Sequence, residues 1–134
     1  MIRRVVCDAS AMVALLIDSG ADGLWVTRTL DGADLSAPTL MPFECANIIR
    51  RLEMAGKIGS DQAAQAHADL LDLEIELWPY EPCAPRAWEL RRNVSIYDAS
   101  YVAVAEILDA PLITLDRRLG LAPGPRCVIS TPKD

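Results

Sequence analysis

A chain of 134 residues, 51% of them hydrophobic, is long enough for one domain with a real core and too short for two ordinary ones. Residues 1–134 are therefore expected to form a single domain. Its 19 acidic and 13 basic residues leave a net charge of −6, which at first argues against a nucleic-acid partner, but with four pattern-breaking acids set aside the remainder is nearly neutral and global charge decides little. No apolar run approaches the roughly 18 residues of a membrane span, and the opening Met-Ile-Arg-Arg enters a strand-like segment without a small-residue cleavage site, so a soluble, cytoplasmic protein with no membrane partner is expected.

Strand-like and helix-like segments alternate along the chain. Residues 2–7 read as a short buried strand that ends at Asp8, and Ala9 to Ile17 as a helix. Ala21 to Leu30 carries Ala21, Leu24 and Trp25 at helical spacing; residues 35–37 form a brief strand halted by Pro38. Pro42 suits the first turn of a helix that runs to about Ala55 and stops at Gly56. Ser60 or Asp61 caps the next helix, which leads through Leu70, Leu71 and Leu73 into a strand at Ile75 to Trp78, ended by Pro79. Helices from about Cys83 to Arg92 and from Asp98 to Leu108, a strand at Leu112 to Leu115, a helical turn near Arg117 to Leu119 and a strand at Cys127 to Ile129 complete the order. Strands separated by helices pair in parallel through right-handed crossovers, which predicts an α/β fold: a three-layer α/β/α sandwich around a mainly parallel five-stranded sheet.

Four carboxylates interrupt this pattern. Asp8 closes the first apolar run and Asp116 follows Leu112-Ile113-Thr114-Leu115; Glu44 shares a helical stripe with Met41, Cys45, Ile48, Ile49 and Leu52; Asp98 heads the stripe of Tyr101, Val102, Ala105 and Leu108. An unpaired buried carboxylate is costly and takes a partner, a proton or a metal. Ligands of open parallel sheets gather beyond the carboxyl ends of the strands where strand order reverses. If the first and fourth strands are neighbours there, all four acids meet in one crevice. Like charges about 4 Å apart repel by roughly 4 kcal/mol at an effective dielectric of 20, and a hard divalent ion, Mg²⁺ or Mn²⁺, relieves that repulsion while binding phosphate oxygens and activating water. Taken singly, Asp98 and Asp116 can also be plain helix N-caps.

Other chemistries fit poorly. Cys7, Cys45, Cys83 and Cys127 lack any paired spacing and sit among apolar neighbours, as small buried hydrophobes do. His67 is the only histidine and has no evident partner, which disfavours a His-dependent triad or a His-rich zinc site. Ser10 stands where a haloacid-dehalogenase-like phosphatase would carry its second Asp, and Lys57 and Lys133, the only lysines, do not match a response-regulator receiver.

The acidic segments resemble those of PIN-domain ribonucleases, and among them the VapC-type toxins of bacterial type II toxin–antitoxin systems. Val-Val-Cys-Asp8-Ala-Ser10 resembles the opening strand of that family, Pro42-Phe-Glu44-Cys-Ala-Asn47 its second acidic element, Ile96-Tyr-Asp98-Ala-Ser-Tyr its third, and Leu112-Ile-Thr114-Leu-Asp116-Arg-Arg-Leu119 its fourth, with Leu119 where many members carry Phe. The resemblance implies a metal-dependent endoribonuclease in which Asp8, Glu44, Asp98 and Asp116 bind Mg²⁺ or Mn²⁺, Ser10 and Thr114 are supporting hydroxyls, and RNA is cut by water. It implies a cognate VapB-type antitoxin and homodimerisation as well. The alternative from another class is a PIN-like module that binds RNA or a partner without cutting. An antitoxin helix is expected to lie in a groove formed by the helix pair around residues 40–55 and 60–73 together with Ala21 to Leu30 and its Trp25.

Overall fold

The computed structural model describes residues 2–133. Strands β1 (Arg4–Cys7), β2 (Asp34–Pro38), β3 (Ile75–Trp78), β4 (Leu112–Ile113) and β5 (Ile129–Ser130) alternate with helices α1 (Ala9–Ile17), α2 (Ala21–Leu30), α3 (Met41–Met54), α4 (Ser60–Asp72), α5 (Tyr80–Glu89), α6 (Ile96–Leu108) and α7 (Arg117–Leu121). The five strands form one sheet in the order β3-β2-β1-β4-β5, and every neighbouring pair is parallel. The chain moves from β1 outward to β3, then returns to β4 on the other side of β1. Right-handed crossovers therefore place α1 to α4 on one face and α5 to α7 on the other, with α6 packed on β1, β2 and β4. Strand order reverses between β1 and β4, in the register Val6 with Leu112 and Cys7 with Ile113.

The core follows the residue pattern. Val5, Val6, Cys7, Leu112 and Ile113 are buried in the sheet, as expected for strands covered on both faces. Helix α1 buries Ala9, Ala11, Met12, Val13 and Ala14, nearly its whole circumference, because α2, α3 and α4 all pack on it. Gly23 makes the close crossing of α2 over α1 possible: a Cβ there would come within 1.8 Å of the Asp18 carbonyl oxygen. Among the described residues no single helix is long and apolar enough to cross a membrane. The cysteines are free; Cys7, Cys45 and Cys83 are buried and Cys127 partly so.

Several boundaries differ from the sequence-based expectation. Pro38 does not halt β2 but belongs to it, paired with Trp78. Alternate strand residues donate to opposite neighbours, and Thr39 donates to the Trp78 carbonyl at 2.9 Å. The N–H that proline lacks would thus point towards β1, whose pairing with β2 ends at Val6 and Ser36. Helix α5 starts at Tyr80, not Cys83, because Pro82 falls in the first turn, where backbone N–H groups have no helical acceptor. Helix α6 starts at Ile96, not Asp98: Ser95 is its N-cap and accepts from the Asp98 N–H at 3.1 Å. The α3–α4 hairpin is present, and α3 ends in the expected glycine motif, with Gly56 at φ +71 and hydrogen bonds from Lys57 N to Leu52 O and from Gly56 N to Glu53 O.

Away from the acidic residues, one ion pair ties three elements together. Arg86 of α5 donates through Nε to Glu106 Oε1 of α6 at 2.7 Å and through Nη2 to the Gly124 carbonyl at 2.8 Å, while Glu106 Oε2 accepts from the Arg126 N–H at 2.7 Å. Burial alone would push the Glu106 carboxyl up; the Arg86 and Arg126 hydrogen bonds and charges outweigh it and hold it below its usual range. Arg86→Met should leave Glu106 without its main partner and lower unfolding free energy by about 2 kcal/mol, read from the urea midpoint. An unchanged midpoint would show that the loop before β5 is held by something else.

Candidate active site

Asp8 lies at the carboxyl end of β1 beside β4, at the strand-order reversal, and is only 7% exposed. It is the N-cap of α1. Oδ1 accepts from the Ala11 N–H at 3.0 Å and from the Ser10 hydroxyl at 2.7 Å, and Oδ2 accepts from the Thr114 hydroxyl. These donors fill three of the roughly four acceptor positions a carboxylate offers, leaving one on Oδ2. Burial pushes the Asp8 carboxyl up and the nearby Asp116 charge adds to this, although the three hydrogen bonds pull it down.

Thr114 and Ser10 connect this carboxylate to the start of α7. The fully buried Thr114 hydroxyl donates to Asp8 and accepts from the Asp116 N–H at 3.0 Å; the Ser10 hydroxyl donates to Asp8 and accepts from the Leu115 N–H at 3.1 Å. The two hydroxyls fix β4's exit turn to the β1–α1 junction. Asp116 is the N-cap of α7, accepting from the Arg118 N–H at 3.0 Å, with the Arg118 guanidinium 3.5 Å away.

Glu44 and Asp98 reach the same place from first helical turns. Glu44, half-buried in α3, accepts from the Tyr101 hydroxyl at 2.7 Å. Tyr101 is 1% exposed, and burial beside Glu44 keeps it a phenol and hence a permanent donor. Glu44 is raised by burial and by the charges of Asp98 and Asp8, and Asp98 by burial and by Asp8 and Asp116, with Ser95 and Arg118 as partial offsets. These mutual effects place the four acids within one electrostatic neighbourhood. Each is an N-cap or lies in the first turn of a helix, so four positive helix ends converge on four carboxylates.

Asp98 is not the N-cap of its helix, which removes that explanation for it; Asp116 is a cap and a member of the acidic group at once. Tyr101 is the residue the sequence pattern hides, because it reads as part of the apolar stripe of α6. Its signal is that a buried tyrosine hydroxyl normally needs a partner. Trp25 does not join the α3–α4 hairpin: it lines a cleft with Thr29 and residues 129–133, because α2 packs on α1. His67 is exposed on α4.

The donor set is hard oxygen. Cys7 and Cys45 lie next to it, but burial and the neighbouring carboxylates push their thiols up, Cys45 to about 12, so neither supplies a thiolate. Among the described residues no three His, Cys, Asp or Glu side chains are gathered tightly enough to hold an ion by themselves. That arrangement suits a cation that takes one or two carboxylates and keeps several waters, the habit of Mg²⁺ and, by its oxygen preference, Mn²⁺.

Comparison with known proteins agrees with this geometry. The PIN domain matches residues 5–124. Ribonuclease VapC1 of Mycobacterium tuberculosis is 38% identical over 125 residues, covering 92% of this chain and 94% of its own. The crystal structure of PAE2754 from Pyrobaculum aerophilum superposes with a TM-score of 0.69 at 22% identity, over 96% of this chain and 83% of that one. That of VapBC-5, a member of the VapBC family of toxin–antitoxin systems from Mycobacterium tuberculosis, superposes with a TM-score of 0.59 at 20% identity, over 96% of each. On the extent of the domain match and the identity to VapC1, the chain belongs to the PIN-domain family.

Proposed function

We propose that this chain is a VapC-type toxin, a single-domain endoribonuclease over residues 1–134 that acts in the cytoplasm, uses Mg²⁺ or Mn²⁺ held among Asp8, Glu44, Asp98 and Asp116, by one or two of these carboxylates directly and by the others through water, and is restrained by a VapB-type antitoxin. The observation that carries the reading is the convergence of these four acids on the reversal between β1 and β4. The 38% identity to a ribonuclease supports the substrate class. When bound, the cation supplies charge for the phosphate oxygens and acidifies water.

The chain's own residues do the positioning. Ser10, Thr114 and the Ala11 N–H hold Asp8 in one orientation, with one acceptor position on Oδ2 left for the ion. Tyr101 orients Glu44 in the same way. Arg118, almost wholly exposed and 3.5 Å from Asp116, can exchange that carboxylate for a phosphate oxygen of the RNA backbone. Among the described residues no histidine joins the acids, His67 being exposed on α4, and Tyr101 stays protonated. In this reading water attacks phosphorus and gives up a proton to a carboxylate of the crevice, the bond to the 3′ oxygen breaks, and that oxygen takes up a proton as it leaves.

The test is product chemistry with purified protein and single-stranded RNA. The expected ends are 5′-phosphate and 3′-hydroxyl, formed only with divalent metal. A 2′,3′-cyclic phosphate would contradict the mechanism, and intact RNA under all metal conditions would favour the binding-module alternative. The shallow groove between α3 and α4, lined by Ile49, Ala63 and Ala64, is where an antitoxin helix would lie, and a homodimer is the proposed assembly.

A further inference from the structure

Beside the acids, the carboxyl ends of β2 and β3 enclose an apolar cavity of about 220 Å³, lined by Leu40, Trp78, Tyr80, Cys83, Ile96 and Tyr97. Neither the proposed metal chemistry nor the antitoxin groove uses it. We propose that this cavity receives one unpaired nucleobase of the substrate, from a nucleotide next to the cleaved bond. The proposal rests on the RNA-cleaving reading and adds to it the form of the RNA: single-stranded or looped, with a base turned out of its stack.

Location is the first argument. Tyr97 immediately precedes Asp98, and Ser100, on the cavity wall, immediately precedes the tyrosine that holds Glu44. The Leu40 carbonyl accepts the Glu44 N–H at 3.1 Å. Cavity and acidic crevice are thus built from the same first turns of α3 and α6, and a chain lying across the acids has its neighbouring base at the cavity mouth.

The lining is the second. Tyr97 is 63% and Tyr80 46% exposed, so two aromatic faces stand open beside an apolar hollow. Aromatic faces beside a strand-cleaving centre offer stacking, which any base can use. Charge is the third argument: an uncharged base can settle near four carboxylates without the repulsion a phosphate meets, so affinity can come from stacking where ionic contacts are poor. Two polar side chains of the walls are already engaged, Trp78 Nε1 with Glu76 at 2.7 Å and the Ser100 hydroxyl with the Ile96 carbonyl at 2.8 Å. The rim hydroxyl of Thr39 is left for a base edge, so the cavity selects an unpaired base more than a particular one.

The experiment places a single iodouridine at successive positions of a single-stranded RNA, irradiates it with the protein in EDTA, and maps crosslinked residues by mass spectrometry. The expected crosslinks are to Tyr97, Tyr80 or Trp78, from one position beside the bond that is cut once metal is supplied. An abasic nucleotide at that position, Tyr97→Ala and Tyr80→Ala should each raise KM about tenfold, and combining the abasic nucleotide with Tyr97→Ala should add little more. Both tyrosines are exposed enough for their variants to fold. RNA that is cleaved with no crosslink to these residues and no KM change in either variant overturns the subsite alone. No metal-dependent cleavage and no crosslink overturns it together with the RNA-cleaving reading. A Tyr97→Ala protein with unchanged KM but altered sedimentation makes this surface a contact between copies, which also overturns the subsite.

Discussion

Asp8→Asn should reduce cleavage by about a thousandfold or more, measured with saturating metal, in a protein that remains folded. The asparagine carbonyl can keep the Ala11 N–H and Ser10 hydroxyl bonds, so the cap of α1 survives. Its amide nitrogen faces Thr114, whose hydroxyl already accepts from the Asp116 N–H and can accept once more, so the structural cost is one buried hydroxyl proton left without its acceptor, about 1–3 kcal/mol. What disappears is the one remaining acceptor position on Oδ2 and the charge most deeply buried in the crevice. Ser10→Ala removes one hydrogen bond that orients the carboxylate and should cost only about ten- to a hundredfold. Equal losses in the two variants would mean that Asp8 acts through local structure alone.

EDTA should stop the reaction entirely, and Mg²⁺ or Mn²⁺ should restore it. The same metal-free protein should show an inverted dependence of stability on pH. Asp8, Glu44 and Asp98 have folded-state pKa values raised, first by burial and then by neighbouring carboxylates, Asp116 among them. The folded state therefore binds protons more readily than the unfolded chain, and stability rises as pH falls from neutral through those raised values towards the ordinary carboxylate range. Glu106 has the opposite sign, because its pKa is depressed; its contribution is lost only on further acidification. Melting temperature in EDTA should increase from pH 7 to 5, and Asp8→Asn should flatten that rise. Saturating Mg²⁺ at pH 7 should raise it too, by about 2.7 kcal/mol of stability at a hundredfold excess over Kd. A melting temperature that falls steadily over this range and ignores Mg²⁺ would show that the acids are not strained against one another.

Asp8 and Asp116 are legible in the sequence because each ends an apolar run, and Glu44 because it interrupts an apolar helical stripe. The parallel sheet follows from the alternation of strand-like and helical segments. What joins these residues is not local: Thr114 meets Asp8 across 106 positions only because β4 returns to the free side of β1. The start of α6 is signalled by Ser95 followed three residues later by Asp98, but Asp98 taken singly can also cap, which places the expected start two residues late. Tyr101 was hidden for a different reason, since periodicity assigns a buried tyrosine to the core without saying where its hydroxyl goes. Trp25 shows the same limit at a surface: helical spacing gives a face, while what it faces, here residues 129–133 across a cleft, depends on the crossing of α2 over α1.

The central claim, that these carboxylates form a divalent-ion site, is tested most directly by Mn²⁺ titration followed through the electron paramagnetic resonance signal of the free ion, comparing the wild type with Asp8→Asn and Asp98→Asn. The account predicts stoichiometric loss of free Mn²⁺ signal with the wild type, reversed by excess Mg²⁺, and little or no binding by either variant. Equal Mn²⁺ binding by all three proteins, or none by the wild type, would contradict it.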